Sequence, residues 1–163
     1  MPISYCLVVL IGFLAGVISS VVLKKFALRY NLFIIKGMPL VGGISMGLSF
    51  IIACLFASFV FKYPFQGVLG IIISSLIMLI FGLIDDWREL NVATKFLAQI
   101  VAASVLIFYG VRTNIIYIGN VPNIIITFVW VLGITNAFNL LDIMDGLAAG
   151  IAVIVSFSFF IIS

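Results

Sequence analysis

The chain contains no histidine, only five acidic residues and only two cysteines in 163 positions. Without histidine, imidazole acid–base chemistry and imidazole metal ligation are excluded from this chain. Cys6 and Cys54 both fall inside apolar runs, so they read as small buried hydrophobes with no disulfide framework implied. Charged residues make up 8% of the chain and hydrophobic residues 66%, whereas a soluble domain carries about 25% charged residues. With a mean hydropathy of +1.47, this is an integral membrane protein. The net charge of +3 is not a nucleic-acid signature, because the eight Lys and Arg residues sit in the links between apolar runs. Basic residues so placed report membrane topology instead. The N-terminus also lacks the basic segment that precedes a secretory signal, since Ile3 to Leu23 comes first and Lys24-Lys25 follows.

Six apolar runs are present, at 3–23, 41–61, 66–84, 95–110, 121–141 and 147–163. Most approach the roughly 20 residues that span a bilayer as a helix, and none shows the alternation of a barrel strand. The pattern predicts an all-α polytopic membrane bundle of about six transmembrane helices, forming a single transmembrane domain over 1–163. The first, third and fifth links carry Lys24, Lys25, Arg29, Lys36, Arg88 and Lys95, and the second and fourth carry Lys62 and Arg112. By the positive-inside rule, the richer side faces the cytoplasm and both termini lie outside.

The five acids form two clusters on that cytoplasmic side: Asp85, Asp86 and Glu89, then Asp142 and Asp145. A carboxylate costs about 2.5–3.5 kcal/mol at a membrane helix centre, and at a helix C-terminus it opposes the macrodipole. Adjacent helical residues point about 100° apart, so Asp85 and Asp86 either converge at a frayed end or divide their roles. Asn136, Asn139, Asp142 and Asp145 recur at every third position, and Gly146 then permits a turn. Lone Asn residues in a membrane are often interhelical glue, but two of these four are acids. Lys95 and Gln99 share a helix face; Lys95 could neutralise a phosphate or snorkel to the interface. Lys36 precedes a Pro/Gly-rich loop and reads either as a phosphate contact or as a positive-inside lysine. Paired carboxylates beside Lys and amide groups suit a phosphorylated substrate held through Mg²⁺, which binds through one or two carboxylates plus substrate phosphates.

The segments GLIDDWRELNVATKFLAQ and NAFNLLDIMDGLAAG, with Met38-Pro39-Leu40-Val41-Gly42-Gly43, resemble the polyprenyl-phosphate N-acetylhexosamine-1-phosphate transferase family. The likeness is nearest to its undecaprenyl-phosphate GlcNAc-1-phosphate branch and covers about Lys24 to Gly150. The resemblance implies transfer of a sugar-1-phosphate from a UDP-sugar to polyprenyl phosphate, with Mg²⁺ or Mn²⁺, on the cytoplasmic face of the cytoplasmic membrane. It makes Asp85 and Asp86 the catalytic pair and, with Asp142, the metal ligands. It places Asn136, Asn139, Asp142, Asp145, Lys95 and Gln99 around the nucleotide sugar or phosphate, and Lys36, from the Pro/Gly-rich link, is grouped with them as a candidate contact. The implied partners are the UDP-sugar, the polyprenyl phosphate and the bilayer, with a homo-oligomer compatible and nucleic acid absent.

The chain departs from the family in three places. Ile143 stands where Asp-Gly-x-Asp-Gly has its first glycine, the first link reads Asn31 to Lys36 without the usual acidic and histidine pattern, and a later Gly-Asp-x-Gly and a His-bearing loop are missing. The expectation is therefore the N-terminal portion of a larger transferase, inactive as this piece alone. A CDP-alcohol phosphotransferase fits poorly, because Asp145-Gly146 is followed by Leu147-Ala148-Ala149 and no later acid. A cation or proton transporter would place its carboxylates at mid-membrane depth. A truncated non-catalytic membrane protein is the remaining alternative.

Overall fold

The computed structural model describes residues 2–30, 34–35, 38–39, 41–142 and 146–162. Lys36, Ile143 and Asp145 lie outside the described residues. Among the described residues six helices follow one another: α1 (Pro2–Tyr30), α2 (Val41–Phe61), α3 (Phe65–Trp87), α4 (Val92–Phe108), α5 (Asn120–Leu141) and α6 (Leu147–Ile162). Between α1 and α2 a small antiparallel pair forms, β1 (Ile34–Ile35) on β2 (Met38–Pro39). Helices α1, α2, α3 and α5 are long and apolar enough to cross a membrane. Helices α4 and α6, at 17 and 16 residues, are shorter, so four of the six expected spans reach full length among the described residues.

Two helices outrun their apolar runs. Helix α1 continues through Lys24, Lys25 and Arg29 to Tyr30, where basic residues complement the negative pole of a helix C-terminus. Helix α3 continues through Asp85 and Asp86 to Trp87. Hydropathy ends at the first charge, whereas the backbone ladder ends only where a cap or turn stops it. Asn91 supplies such a cap for α4, its side chain accepting from the Thr94 N–H at 2.8 Å, and so starts that helix three residues before its expected run.

Consecutive helices pack antiparallel in the order α1–α2–α3–α4–α5. Small residues allow the close approaches, as is usual where lipid removes the hydrophobic drive between helices. On α1, Gly12, Gly16 and Ser19 face Ala53, Ser49 and Ser45 of α2; a Cβ on Gly12 would lie 3.3 Å from that of Ala53, and Ser19 Oγ donates to the Ser45 carbonyl at 3.3 Å. Gly70 of α3 lies under Tyr109 just past α4, where a Cβ would come within 2.4 Å of the Tyr109 Cβ. Helix α4 buries Ala98, Gln99, Ala102 and Ala103. Helix α6 touches α5 only lightly and buries none of its residues.

The end of the bundle that joins α4 to α5 is tied down by a polar network. The Asn123 amide bonds both the N–H and the carbonyl of Ile115, at 2.9 and 3.1 Å, and the Gly119 carbonyl at 2.8 Å. Thr127 Oγ1 accepts the Thr113 N–H at 3.0 Å. Asn123 and Thr127 are four apart on α5, so one helix face holds the whole 113–119 loop. With that loop fixed at one end, the C-termini of α3 and α5 and the N-terminus of α4 lie at the other, α4 packing against both α3 and α5.

Candidate functional site

At that second end, Asp85 and Asp86 occupy the last turn of α3. The turn is regular: the Arg88 N–H still reaches the Ile84 carbonyl at 2.7 Å. The two carboxylates therefore point apart and do not converge, as neighbours on a helix must. Asp85 faces α4. Its Oδ2 meets Lys95 Nζ at 2.7 Å, and its Oδ1 accepts the Leu90 N–H at 2.8 Å. One carboxylate thus closes the α3–α4 turn and anchors the first turns of α4. The pair is only partly shielded, with side chains 29% exposed for Asp85 and 41% for Lys95. Asp86 is exposed and has no ion-pair partner among the described residues.

Gln99 lies one turn beyond Lys95 and points inward. Its Oε1 accepts from Asn136 Nδ2 at 2.8 Å, its Nε2 reaches Asn136 Oδ1 at 3.5 Å, and Asn136 Nδ2 also donates to the Leu132 carbonyl at 2.8 Å. Asn139 and Asp142 are exposed. A three-residue step on a helix turns the side chain by about 60° short of a full turn, so the series beginning at Asn136 winds from the helix interface out to the open surface. Asp142 caps α5, its N–H donating to the Phe138 carbonyl at 3.0 Å. Gly146, at φ +78°, then begins the entry into α6, its carbonyl accepting the Gly150 N–H at 2.9 Å.

The structure thus gathers Asp85, Asp86, Lys95, Asn139 and Asp142 at one end of the bundle, and sets Gln99 and Asn136 against each other one turn deeper. The spacing groups Lys95 with Gln99 on one helix face, whereas the structure pairs Lys95 with Asp85. A signal was present: ten residues with a helix break between them are enough to bring a last-turn acid against a first-turn base. No three Asp, Glu or Cys side chains converge into a metal cage among the described residues. The available donors are carboxylate oxygens, which match a hard divalent cation and not a soft one. Two helix C-termini, those of α3 and α5, carry exposed carboxylates against their macrodipoles, an arrangement that an incoming cation would relieve.

Known proteins share this sequence pattern. The chain is 33% identical to the decaprenyl-phosphate N-acetylglucosaminephosphotransferase of Mycolicibacterium smegmatis over 141 residues, covering 77% of this chain and 34% of that protein. It is 35% identical over 141 residues to the Mycobacterium leprae protein of the same name, covering 77% and 35%. It is 32% identical over 130 residues to a Bacillus subtilis protein named a probable undecaprenyl-phosphate N-acetylglucosaminyl 1-phosphate transferase, covering 73% and 35%. The chain spans about a third of the length of these curated relatives. No solved structure matches it at a significant level. The family model for Glycosyl transferase family 4 matches residues 68–163, which takes in most of α3 and all of α4, α5 and α6 with every described site residue, and the chain belongs to that family.

Proposed function

We propose that the protein acts in transfer of a sugar-1-phosphate, of the N-acetylhexosamine class, from a UDP-sugar to polyprenyl phosphate at the cytoplasmic face of the cytoplasmic membrane. This would be a first step in assembling a lipid-linked glycan or envelope polysaccharide. The relatives are named for that acceptor and sugar class. The observation that carries the reading is the placing of Asp85, Asp86, Lys95 and Asp142 at one end of an apolar bundle. There a lipid phosphate can sit at the interface while a water-soluble nucleotide approaches from the aqueous side.

Each residue takes a role from its surroundings. Asp86, exposed and without an ion-pair partner among the described residues, is the carboxylate placed to take a proton from the lipid phosphate or to hold a cation. Asp142 is the exposed acid on α5, and Asn139, one turn before it, offers an amide to the nucleotide sugar. Lys95 turns from Asp85 toward a phosphate oxygen when substrate arrives, which frees the Asp85 carboxylate. An oxygen of the lipid phosphate attacks the sugar-bearing phosphorus, the bond to the bridging oxygen breaks, and UMP leaves with the electron pair. A bound Mg²⁺ or Mn²⁺ would neutralise charge building on the diphosphate; because Asp85 and Asp86 point apart, one of that pair, with Asp142, would hold it while the other faces the lipid phosphate. Asp145 and Lys36 keep the place among the nucleotide or phosphate contacts that the sequence pattern suggests for them.

The test uses membranes carrying the full reading frame that holds this chain, supplied with polyprenyl phosphate, Mg²⁺ and radiolabelled UDP-GlcNAc or UDP-GalNAc. Label should pass to the lipid extract with equimolar UMP, and Asp86→Asn should lower that rate at least about a hundredfold. Absence of lipid-linked label with every UDP-HexNAc tried would refute the reading.

A further inference from the structure

Gln99 and Asn136 both belong to the set that the resemblance places around the nucleotide sugar, yet the structure bonds them to each other. Gln99 is 2% exposed. Asn136 Nδ2 donates one hydrogen to Gln99 Oε1 and the other to the Leu132 carbonyl, both at 2.8 Å. The amide hydrogens of Asn136 are both in use, and a nucleotide drawing on Asn136 would strand the buried carboxamide of Gln99.

The buried face of α4 consists of Ala98, Gln99, Ala102 and Ala103. Alanines let two helices approach closely but say little about their sliding position, because one alanine resembles the next. A single polar pair in such a seam defines the register, as one buried Asn does in a coiled coil. Lys95 lies about 6 Å along α4 from Gln99, and Asp142 about 9 Å along α5 from Asn136, toward the same end. A slip of one turn between α4 and α5, about 5.4 Å, would change where Lys95 stands relative to the end of α5. We infer that Gln99 and Asn136 form an interhelical amide clamp that fixes the register of α4 on α5 and so sets Lys95 against the Asn139–Asp142 end; they are positioning residues, not nucleotide ligands. The clamp stands on the geometry alone, while its consequence for catalysis rests on the proposed transferase activity.

The experiment has two arms. Thermal melting of the chain in detergent is measured for Gln99→Leu, Asn136→Leu and the double variant Q99L/N136L. Each single change should lower the midpoint by about 2–6 °C. The double should lose no more than the worse single, because it leaves no buried amide orphaned. Unchanged singles, or losses that simply add, would overturn the clamp. In the second arm, kinetics in the full reading frame should show Gln99→Leu lowering kcat about tenfold with KM for the UDP-sugar within about twofold, and the swap Q99N/N136Q recovering most of the rate. A raised KM at unchanged kcat would make these amides nucleotide ligands and overturn the inference. If the parent protein shows no transfer at all, the transferase reading fails and the melting cycle alone decides the clamp.

Discussion

Asp85 holds two partners with two oxygens, and substitutions can separate them. Asp85→Asn keeps an Oδ1 that can accept the Leu90 N–H and gives up the charge facing Lys95. Asp85→Ala gives up both. Hydrogen exchange at the Leu90 amide should therefore accelerate clearly in Asp85→Ala and little in Asp85→Asn; equal acceleration in both would mean that the ion pair, not the hydrogen bond, holds the turn. The ion pair itself is half open to its surroundings, and exposed pairs are worth only about 0–1 kcal/mol. Lys95→Met should consequently shift the melting midpoint by less than about 3 °C, while lowering lipid-linked product at least about tenfold if Lys95 meets a phosphate. A large loss of stability with normal transfer would confine Lys95 to a structural role. The residue types at this site were legible in the sequence, since scarce acids at run ends are visible there. Which side chain meets which was not legible: Gln99 and Asn136 are 37 positions apart, and one sequence does not state which helix faces lie together.

At the scale of elements, hydrophobic runs located the helices because lipid requires every backbone group to bond within its own helix. The bounds of α2 came out as read, at 41 and 61. Those of α1 and α3 did not, because their charged last turns remain helical while leaving the apolar pattern. The contact between α3 and the end of α4 depends on Gly70, where an added Cβ would meet the Tyr109 Cβ at 2.4 Å and its Cγ at 3.1 Å. The Tyr109 Cβ is fixed by the backbone and cannot rotate away, so Gly70→Ala must part the two segments. Overpacking of this kind costs about 1–3 kcal/mol, and the melting midpoint in detergent should fall by about 2–10 °C. Gly82, on the same helix, has nothing within 4 Å of its added Cβ. Gly82→Ala should leave the midpoint unchanged or raise it slightly, since alanine is the better helix former. Equal losses in both variants would show that glycine flexibility, not close approach, matters in α3.

For the molecule as a whole, antiparallel packing of successive helices sorts the described basic residues between two ends. Lys24, Lys25 and Arg29 at the end of α1 join Arg88 and Lys95 at the α3–α4 turn, while Lys62 and Arg112 stand at the other end. Orientation follows the Lys and Arg count in short loops, so the richer end should face the cytoplasm and bring Asp86 and Asp142 with it. The opposite end presents the loop held by Asn123, with Tyr117 95% exposed. Both native thiols can be removed as Cys6→Ser and Cys54→Ser, leaving a background for single-cysteine reporters. Asn91→Cys should react with a membrane-impermeant maleimide only in inverted vesicles, and Tyr117→Cys only in intact cells. The reverse pattern would place the acidic end outside, away from cytoplasmic nucleotide sugars, and the transferase reading would fail with it. Moving charge makes the same point independently: a basic residue added beside Tyr117, with Lys24 and Lys25 replaced by Gln, narrows the difference that sets orientation. A mixed labelling pattern should then appear at both reporters if those charges decide topology, and an unchanged pattern would mean that other parts of the chain do.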